Sequence, residues 1–154
     1  MPLFGGSRAL RPNYIRLEES SALRRIDGRP LRAVVVEDQL LVRFDLELMV
    51  AEHGGDVVAT TGNGAESIAL VERYAPDVVL MDVCVDGEMD GIDTARITKN
   101  RLAVPVVFVT GSGDEATRAR IAELRDSQLV LKPARSVDLV TAIRRACGLH
   151  AGQA

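Results

Sequence analysis

The chain has 154 residues, of which 47% are hydrophobic and 27% are charged, a composition typical of one soluble globular domain. No apolar stretch approaches the roughly 20 residues that cross a bilayer, and the N-terminus lacks the pattern of a secretory signal. Cys84 and Cys147 are the only cysteines, too few for a disulfide scaffold and without the spacing of a structural zinc site. These features predict a cytoplasmic protein without a membrane segment.

Charge is distributed unevenly along the chain. Residues 1–32 carry seven arginines and three acids, whereas residues 33–154 carry 12 basic and 19 acidic side chains. The acidic body argues against a nucleic-acid-binding surface on the main domain. The basic segment has few aromatic residues and no lysine, which favours a solvated or self-docked segment over one that binds RNA or a membrane.

Three segments follow from these patterns. Residues 1–30 are rich in Gly, Pro and Arg and are predicted to be a basic extension, partly disordered or with a short helix over 17–26. Residues 31–148 form the predicted folded domain, and residues 149–154 a disordered tail. Several apolar residues of the extension could dock on the domain or on its partner: Tyr14, Ile15, Leu17, Leu23 and Ile26.

Strand and helix signals alternate from residue 33 onward. The five predicted strands are short apolar or β-branched runs at 33–36, 56–60, 78–81, 106–109 and 129–131. The five predicted helices cover 40 to about 53, 64 to 75, about 92 to 102, 114 to about 124, and 136 to about 147. Apolar residues of the first helix follow helical spacing: Leu40, Leu41, Phe44, Leu48 and Met49. Five strands alternating with five helices predict a (βα)5 doubly wound parallel sheet.

Polar residues follow four of these strands, at the point where each strand ends. Glu37 and Asp38 follow the first strand, Asp82 the third, Thr110 the fourth and Lys132 the fifth. The carboxyl ends of parallel strands share one edge of a sheet, where ligands bind in doubly wound folds. We therefore expect three carboxylates, a hydroxyl and an ammonium to converge there. Carboxylate oxygens are the ligands that Mg²⁺ and Mn²⁺ prefer.

The same set of side chains suits phosphoryl chemistry. Phosphoryl transfer depends on positioning and on countering charge at the equatorial oxygens, which a metal ion, Lys132 and the Thr110 hydroxyl could do together. The carboxylate of Asp82 could then act as the nucleophile and accept the phosphoryl group as an acyl phosphate.

The order and spacing of Glu37-Asp38, Asp82, Thr110 and Lys132-Pro133 resemble the receiver domain of two-component response regulators. The resemblance covers residues 31 to about 148. It implies a flavodoxin-like sheet with strand order 2-1-3-4-5, and an aspartyl-phosphate switch fed by a histidine kinase or a histidine phosphotransfer protein.

The resemblance also assigns roles to individual residues. It makes Asp82 the phosphoacceptor, Thr110 the switch hydroxyl and Lys132 the residue that binds the phosphoryl group. Asp38 and Asp82 would bind Mg²⁺ (or Mn²⁺) directly and Glu37 through water, with the backbone carbonyl of Cys84 completing the protein ligands.

The function implied is that of a stand-alone receiver, because fewer than ten residues follow the domain. Such a protein catalyses only its own phosphorylation and dephosphorylation and is otherwise not an enzyme. Its expected partners are the phosphodonor protein and a downstream protein target. Nucleic acid and membrane are not expected partners, and we expect a monomer or weak homodimer.

Two alternatives remain at this point. Leu129 occupies the position where the family usually has an aromatic switch residue, which would fit a pseudo-receiver that binds proteins constitutively. An aspartyl-phosphate phosphatase resembling the haloacid dehalogenase superfamily is the other. Those enzymes place an acid/base Asp two residues after the nucleophile, where this chain has Cys84, a poor substitute for a carboxylate at neutral pH.

Overall fold

The computed structural model describes residues 22–149, which form a five-stranded parallel sheet with helices on both faces. The strands are β1 (Arg32–Val36), β2 (Asp56–Thr61), β3 (Val78–Met81), β4 (Val106–Thr110) and β5 (Gln128–Leu131). The helices are α1 (Leu40–Glu52), α2 (Gly64–Tyr74), α3 (Gly91–Leu102), α4 (Glu115–Ala122) and α5 (Ser136–Ala146). The strand order is β2-β1-β3-β4-β5 and every neighbouring pair is parallel, so the predicted fold class is confirmed.

Apolar side chains cover both faces of the sheet, which is why the strands read as continuous apolar runs. In β1, Ala33 and Val35 belong to the cluster that α1 and α5 cover. Val34 and Val36 point to the opposite face, where Val71 of α2 and Ile92 of α3 pack. Each strand is therefore held between two helical layers, and its carboxyl end is fixed in position.

Acidic or amide side chains cap three of the helices at their N-termini. Asn63 accepts a hydrogen bond from the Glu66 N–H, Asp90 from the Asp93 N–H and Asp114 from the Thr117 N–H. Such caps satisfy backbone donors that have no partner in the first helical turn. The caps of α3 and α4 fix the start of each helix directly after the loops that follow β3 and β4.

The described part of the N-terminal extension makes a tight turn that packs against the sheet. The short helix considered for 17–26 is wrong for residues 22–26, because Arg24 forms an antiparallel bridge to Pro30 around Gly28, which has φ +84°. The N–H of Leu23 donates to the His53 carbonyl (2.7 Å), and the Leu23 side chain is buried. Residues 1–21 and 150–154 lie outside the described residues, with Tyr14, Ile15 and Leu17 among them.

The helices of the described range are short. Within residues 22–149, none combines the length and the apolar character that a membrane-spanning helix needs.

Candidate functional site

The first predicted carboxylate, Glu37, is fully buried at the end of β1. Its Oε1 accepts a hydrogen bond from the Gln39 N–H (3.1 Å), and its Oε2 lies 2.7 Å from Nζ of Lys132. That second contact is an ion pair without hydrogen-bond geometry, so Oε2 is buried without an aligned donor. Burial raises the pKa of Glu37, and the neighbouring Lys132 ammonium and Gln39 N–H only partly offset this.

The predicted acceptor, Asp82, follows β3 and is also buried. Its Oδ1 accepts a hydrogen bond from the Cys84 N–H (3.2 Å), and its Oδ2 accepts one from Nζ of Lys132 (2.8 Å). The loop that follows returns to the end of β3, where the Gly91 N–H at the start of α3 donates to the Val83 carbonyl (2.8 Å). Asp82 is thus presented from a rigid strand end between β1 and β4.

Lys132 follows β5 and bridges the two buried carboxylates. Its ammonium lies 2.8 Å from Asp82 Oδ2 and 2.7 Å from Glu37 Oε2. Burial alone would lower the pKa of this lysine, but the two carboxylates outweigh burial and raise the pKa. The side chain is therefore a positive charge held inside the acidic site.

Thr110 ends β4 and is buried beside this group. Its Oγ1 accepts a hydrogen bond from the Ser112 N–H (3.2 Å), and its carbonyl accepts one from the Lys132 N–H (3.0 Å). The hydroxyl is therefore tied to the loop between β4 and α4, and its backbone is tied to the lysine.

Three carboxylates of this edge could hold a metal ion. Ligand oxygens of Glu37, Asp38 and Asp82 lie within 4.8 Å of one another, with Asp38 exposed at the mouth. The single ammonium of Lys132 offsets only part of the charge of three carboxylates this close, which would still repel one another without a further cation. Glu37 Oε2 is buried without an aligned donor, and hard oxygen ligands suit Mg²⁺. The residues present therefore fit a divalent cation.

Comparison with known proteins assigns the family. The family described as "Response regulator receiver domain" matches residues 33–144. The chain belongs to this family.

The relatives are longer proteins than this chain. The transcriptional regulatory protein PdtaR of Mycobacterium tuberculosis is 33% identical over 117 residues, which cover 76% of this chain and 57% of PdtaR. The DNA-binding response regulator MtrA of Mycolicibacterium smegmatis is 30% identical over 119 residues, 77% of this chain and 51% of MtrA. The chain thus spans about half the length of the curated relatives it matches.

A solved structure shows the same fold. The signal receiver domain of a modulated diguanylate cyclase from Desulfovibrio desulfuricans G20 superimposes with a TM-score of 0.72 at 27% identity, covering 77% of this chain and 94% of that one.

At β5 this chain has Leu129, where the resemblance described above led us to expect an aromatic residue. Leu129 pairs with Phe108 of β4 and packs against the cluster under α2, α3 and α4.

Helix α4 buries only Ile121. Its Arg120 donates to Asp90 Oδ2 (2.7 Å), the cap of α3. Burial opposes ionisation of Asp90, but Arg120 and the Asp93 N–H outweigh it and lower the Asp90 pKa.

The sequence did not distinguish the buried face of α1 from its exposed face. Leu40, Leu41, Phe44 and Leu48 follow helical spacing, yet all four are exposed, Leu41 by 86% and Phe44 by 66%. The buried side of the helix carries Leu46 and Val50 instead. We call the exposed set the α1 stripe; it begins two residues after Asp38.

The sequence also missed Arg43, which lies on α1. Its guanidinium donates two hydrogen bonds to the Glu37 carbonyl, from Nε (2.9 Å) and Nη2 (2.8 Å). No sequence signal distinguishes this arginine from an ordinary solvated helix residue, because the contact depends on how the chain turns after β1.

Proposed function

We propose that this receiver accepts a phosphoryl group on Asp82 in a Mg²⁺-dependent reaction and thereby switches its contacts with other proteins. The observation that carries the proposal is the Lys132 ammonium held within 2.8 Å of Asp82 and 2.7 Å of Glu37, at an edge where three carboxylates could hold a cation. A bound Mg²⁺ would neutralise charge on the phosphoryl oxygens.

The chain's own residues would supply the remaining chemistry. A carboxylate oxygen of Asp82 forms the new bond to phosphorus, and the bond from phosphorus to the donor's histidine nitrogen breaks, leaving the electron pair on that nitrogen. Lys132 is within reach to exchange one carboxylate contact for a phosphoryl oxygen. Thr110, whose hydroxyl now accepts from Ser112, would contact a second phosphoryl oxygen and release that loop.

The proposed partners are a histidine kinase or histidine phosphotransfer protein and a downstream protein target. Residues 33–154 are net acidic, which supports action through protein contacts rather than nucleic acid. The proposed location is the cytoplasm, where the free thiols of Cys84 and Cys147 would stay reduced.

A small phosphodonor tests the site directly. With Mg²⁺ and acetyl phosphate, the protein should gain one phosphoryl group that is stable to acid and labile to base, seen by intact-mass spectrometry. Asp82→Asn should abolish the gain, because an amide cannot form the acyl phosphate. Asp86→Asn, an exposed acid in the following loop, is the matched control and should behave as wild type.

Two outcomes would overturn the proposal. Equal phosphoryl gain by Asp82→Asn would mean that the acceptor is elsewhere. Wild-type protein that gains no phosphoryl group, and shows no Mg²⁺-dependent change on adding beryllofluoride, would be a pseudo-receiver.

The α1 stripe supports a protein phosphodonor as the physiological source. An apolar surface this close to Asp38 favours a partner with an apolar face, and the exposed acids Asp45 and Glu52 beside it favour a basic rim on that partner. Because acids flank the stripe, two copies of this chain would repel one another there. We therefore expect the phosphodonor protein to cover it.

Truncating a side chain of the α1 stripe should affect phosphoryl transfer from a protein donor but not from acetyl phosphate. Phe44→Ser should slow transfer from the host kinase that phosphorylates wild type fastest, by at least about tenfold as for an interface hot spot. The rate with acetyl phosphate should not change. Ile26→Ser is the control, since Ile26 is 96% exposed but precedes β1, at the opposite edge of the sheet. Equal slowing with both donors would contradict the docking proposal.

A further inference from the structure

Arg43 folds back from α1 onto the turn that carries two of the site's carboxylates. Its Nε and Nη2 both donate to the carbonyl oxygen of Glu37, at 2.9 and 2.8 Å. The backbone N–H of Arg43 also donates to the Gln39 carbonyl (2.9 Å). One side chain therefore connects the first turns of α1 to the end of β1.

The carbonyl that Arg43 holds belongs to the peptide unit joining Glu37 to Asp38. That unit is planar, so fixing its oxygen restricts ψ of Glu37 and φ of Asp38 together. Those two angles determine the direction in which each carboxylate leaves the backbone.

Other contacts hold the same turn from its remaining sides. The Glu37 N–H donates to the Thr61 carbonyl (2.9 Å). Gly62 lies against the turn so closely that a Cβ there would be 3.0 Å from Asp38 Cα and 3.2 Å from Arg43 Nη2. Among these contacts, Arg43 is the one made by a side chain and so can be removed without altering the backbone.

We infer that Arg43 is a positioning residue for the divalent-cation site, acting through the Glu37–Asp38 peptide. The inference rests on the proposed function, because it assigns a role at the same site. Groups behind the direct ligands of a metal orient those ligands, and their loss weakens metal binding.

Charge and positioning predict opposite results when Arg43 is replaced. A guanidinium near three carboxylates repels a cation, so removing its charge alone should tighten Mg²⁺ binding. Loss of positioning should weaken it. Lysine keeps the charge but cannot supply the two-pronged contact of a guanidinium, so Arg43→Lys tests positioning with the charge unchanged.

The experiment measures Mg²⁺ affinity by isothermal titration calorimetry, with metal alone. Arg43→Lys should weaken binding by about tenfold, the lower end of the range for such supporting groups. Arg43→Met should weaken it less, because loss of the guanidinium charge removes some repulsion of the metal. The control is Arg144→Met, because Arg144 likewise holds a backbone carbonyl, that of Ala22 (2.7 Å), far from the acids. Its Mg²⁺ affinity should equal that of wild type.

Phosphorylation by acetyl phosphate supplies a second readout. Both Arg43 variants should be slow at low Mg²⁺ and should approach the wild-type rate when Mg²⁺ is saturating. A merely structural defect would lower the rate equally at both concentrations.

Unchanged Mg²⁺ affinity in Arg43→Lys, or tighter binding in Arg43→Met, would overturn the inference. Should Arg43→Met fail to fold by circular dichroism, Arg43→Lys decides the question alone. Wild-type protein that binds Mg²⁺ but takes no phosphoryl group would refute the proposed function while leaving the metal-binding test of Arg43 intact.

Discussion

Replacing Lys132 with Met should make the stability of the fold depend on Mg²⁺. The ammonium bridges Glu37 and Asp82, two buried carboxylates at 2.7 and 2.8 Å. Removing one partner of a buried ion pair leaves uncompensated charge and costs about 3 kcal/mol. Urea unfolding in EDTA should show this loss, and millimolar Mg²⁺ should restore most of it by supplying the missing positive charge.

The loss should also grow as the pH rises. Burial raises the pKa of Glu37 above that of an ordinary carboxyl, so the folded state holds this proton more tightly than the unfolded state does. The free energy of unfolding therefore falls as the pH rises from the Glu37 pKa of the unfolded state to that of the folded state. Removing Lys132 raises the folded-state pKa of Glu37 further and extends this fall to higher pH. We expect a larger defect at pH 8 than at pH 5.

The same variant should gain a phosphoryl group from acetyl phosphate about 100-fold more slowly, as when one preorganised donor is removed from an active site. Lys99→Met is the control. Lys99 is the chain's only other lysine, and it lies near the end of α3, 18 residues after β3. A stability loss in Lys132→Met that depends on neither pH nor Mg²⁺ would contradict the bridging role of Lys132.

Replacing Gly91 with Ala should be the most damaging small substitution beside the acceptor. A Cβ at Gly91 would overlap the carbonyl oxygen of Asp82 and lie 2.9 Å from Val83 Cα. Both obstacles are backbone atoms, so relief requires α3 to move away from the end of β3. We expect a loss of about 3 kcal/mol from this overpacking and slower phosphorylation, measured by urea unfolding and by the acetyl phosphate assay.

Gly111→Ala is the matched control for that substitution. Gly111 also follows a strand of the site, but a Cβ there meets nothing within 4 Å. Its free energy of unfolding should stay within about 0.5 kcal/mol of wild type, as for surface changes away from packing. Similar losses in the two variants would mean that glycine flexibility, not close approach, matters at Gly91.

The strand ends were predictable because parallel topology leaves little choice. Once β1, β3, β4 and β5 are recognised as buried runs, their carboxyl ends must meet at one edge. The residues that follow them are then neighbours, whatever their distance in sequence. This reasoning places Glu37, Asp82 and Lys132 together although up to 95 residues separate them.

The buried face of α1 was not predictable in the same way. Apolar residues surround much of this helix, so spacing alone allows either Leu41 and Phe44 or Leu46 and Val50 to face the sheet. Position relative to β1 and α5 decides between them, and Leu46 and Val50 pack there. The arginine on the same helix was missed for a related reason, since its partner is a backbone carbonyl that the sequence does not mark.

The turn before β1 has a consequence for how this receiver could be exchanged between proteins. The family match begins at residue 33, but the hydrophobic core already includes Leu23 and Leu31, both almost fully buried. Gly55 lies beside Leu23 in a tight space, since a Cβ there would lie 2.8 Å from Val50 Cγ1 and 3.3 Å from Leu23 Cβ. A chimera joined at the family boundary would carry an open gap in one face, so the smallest interchangeable module starts at the turn, not at the first strand.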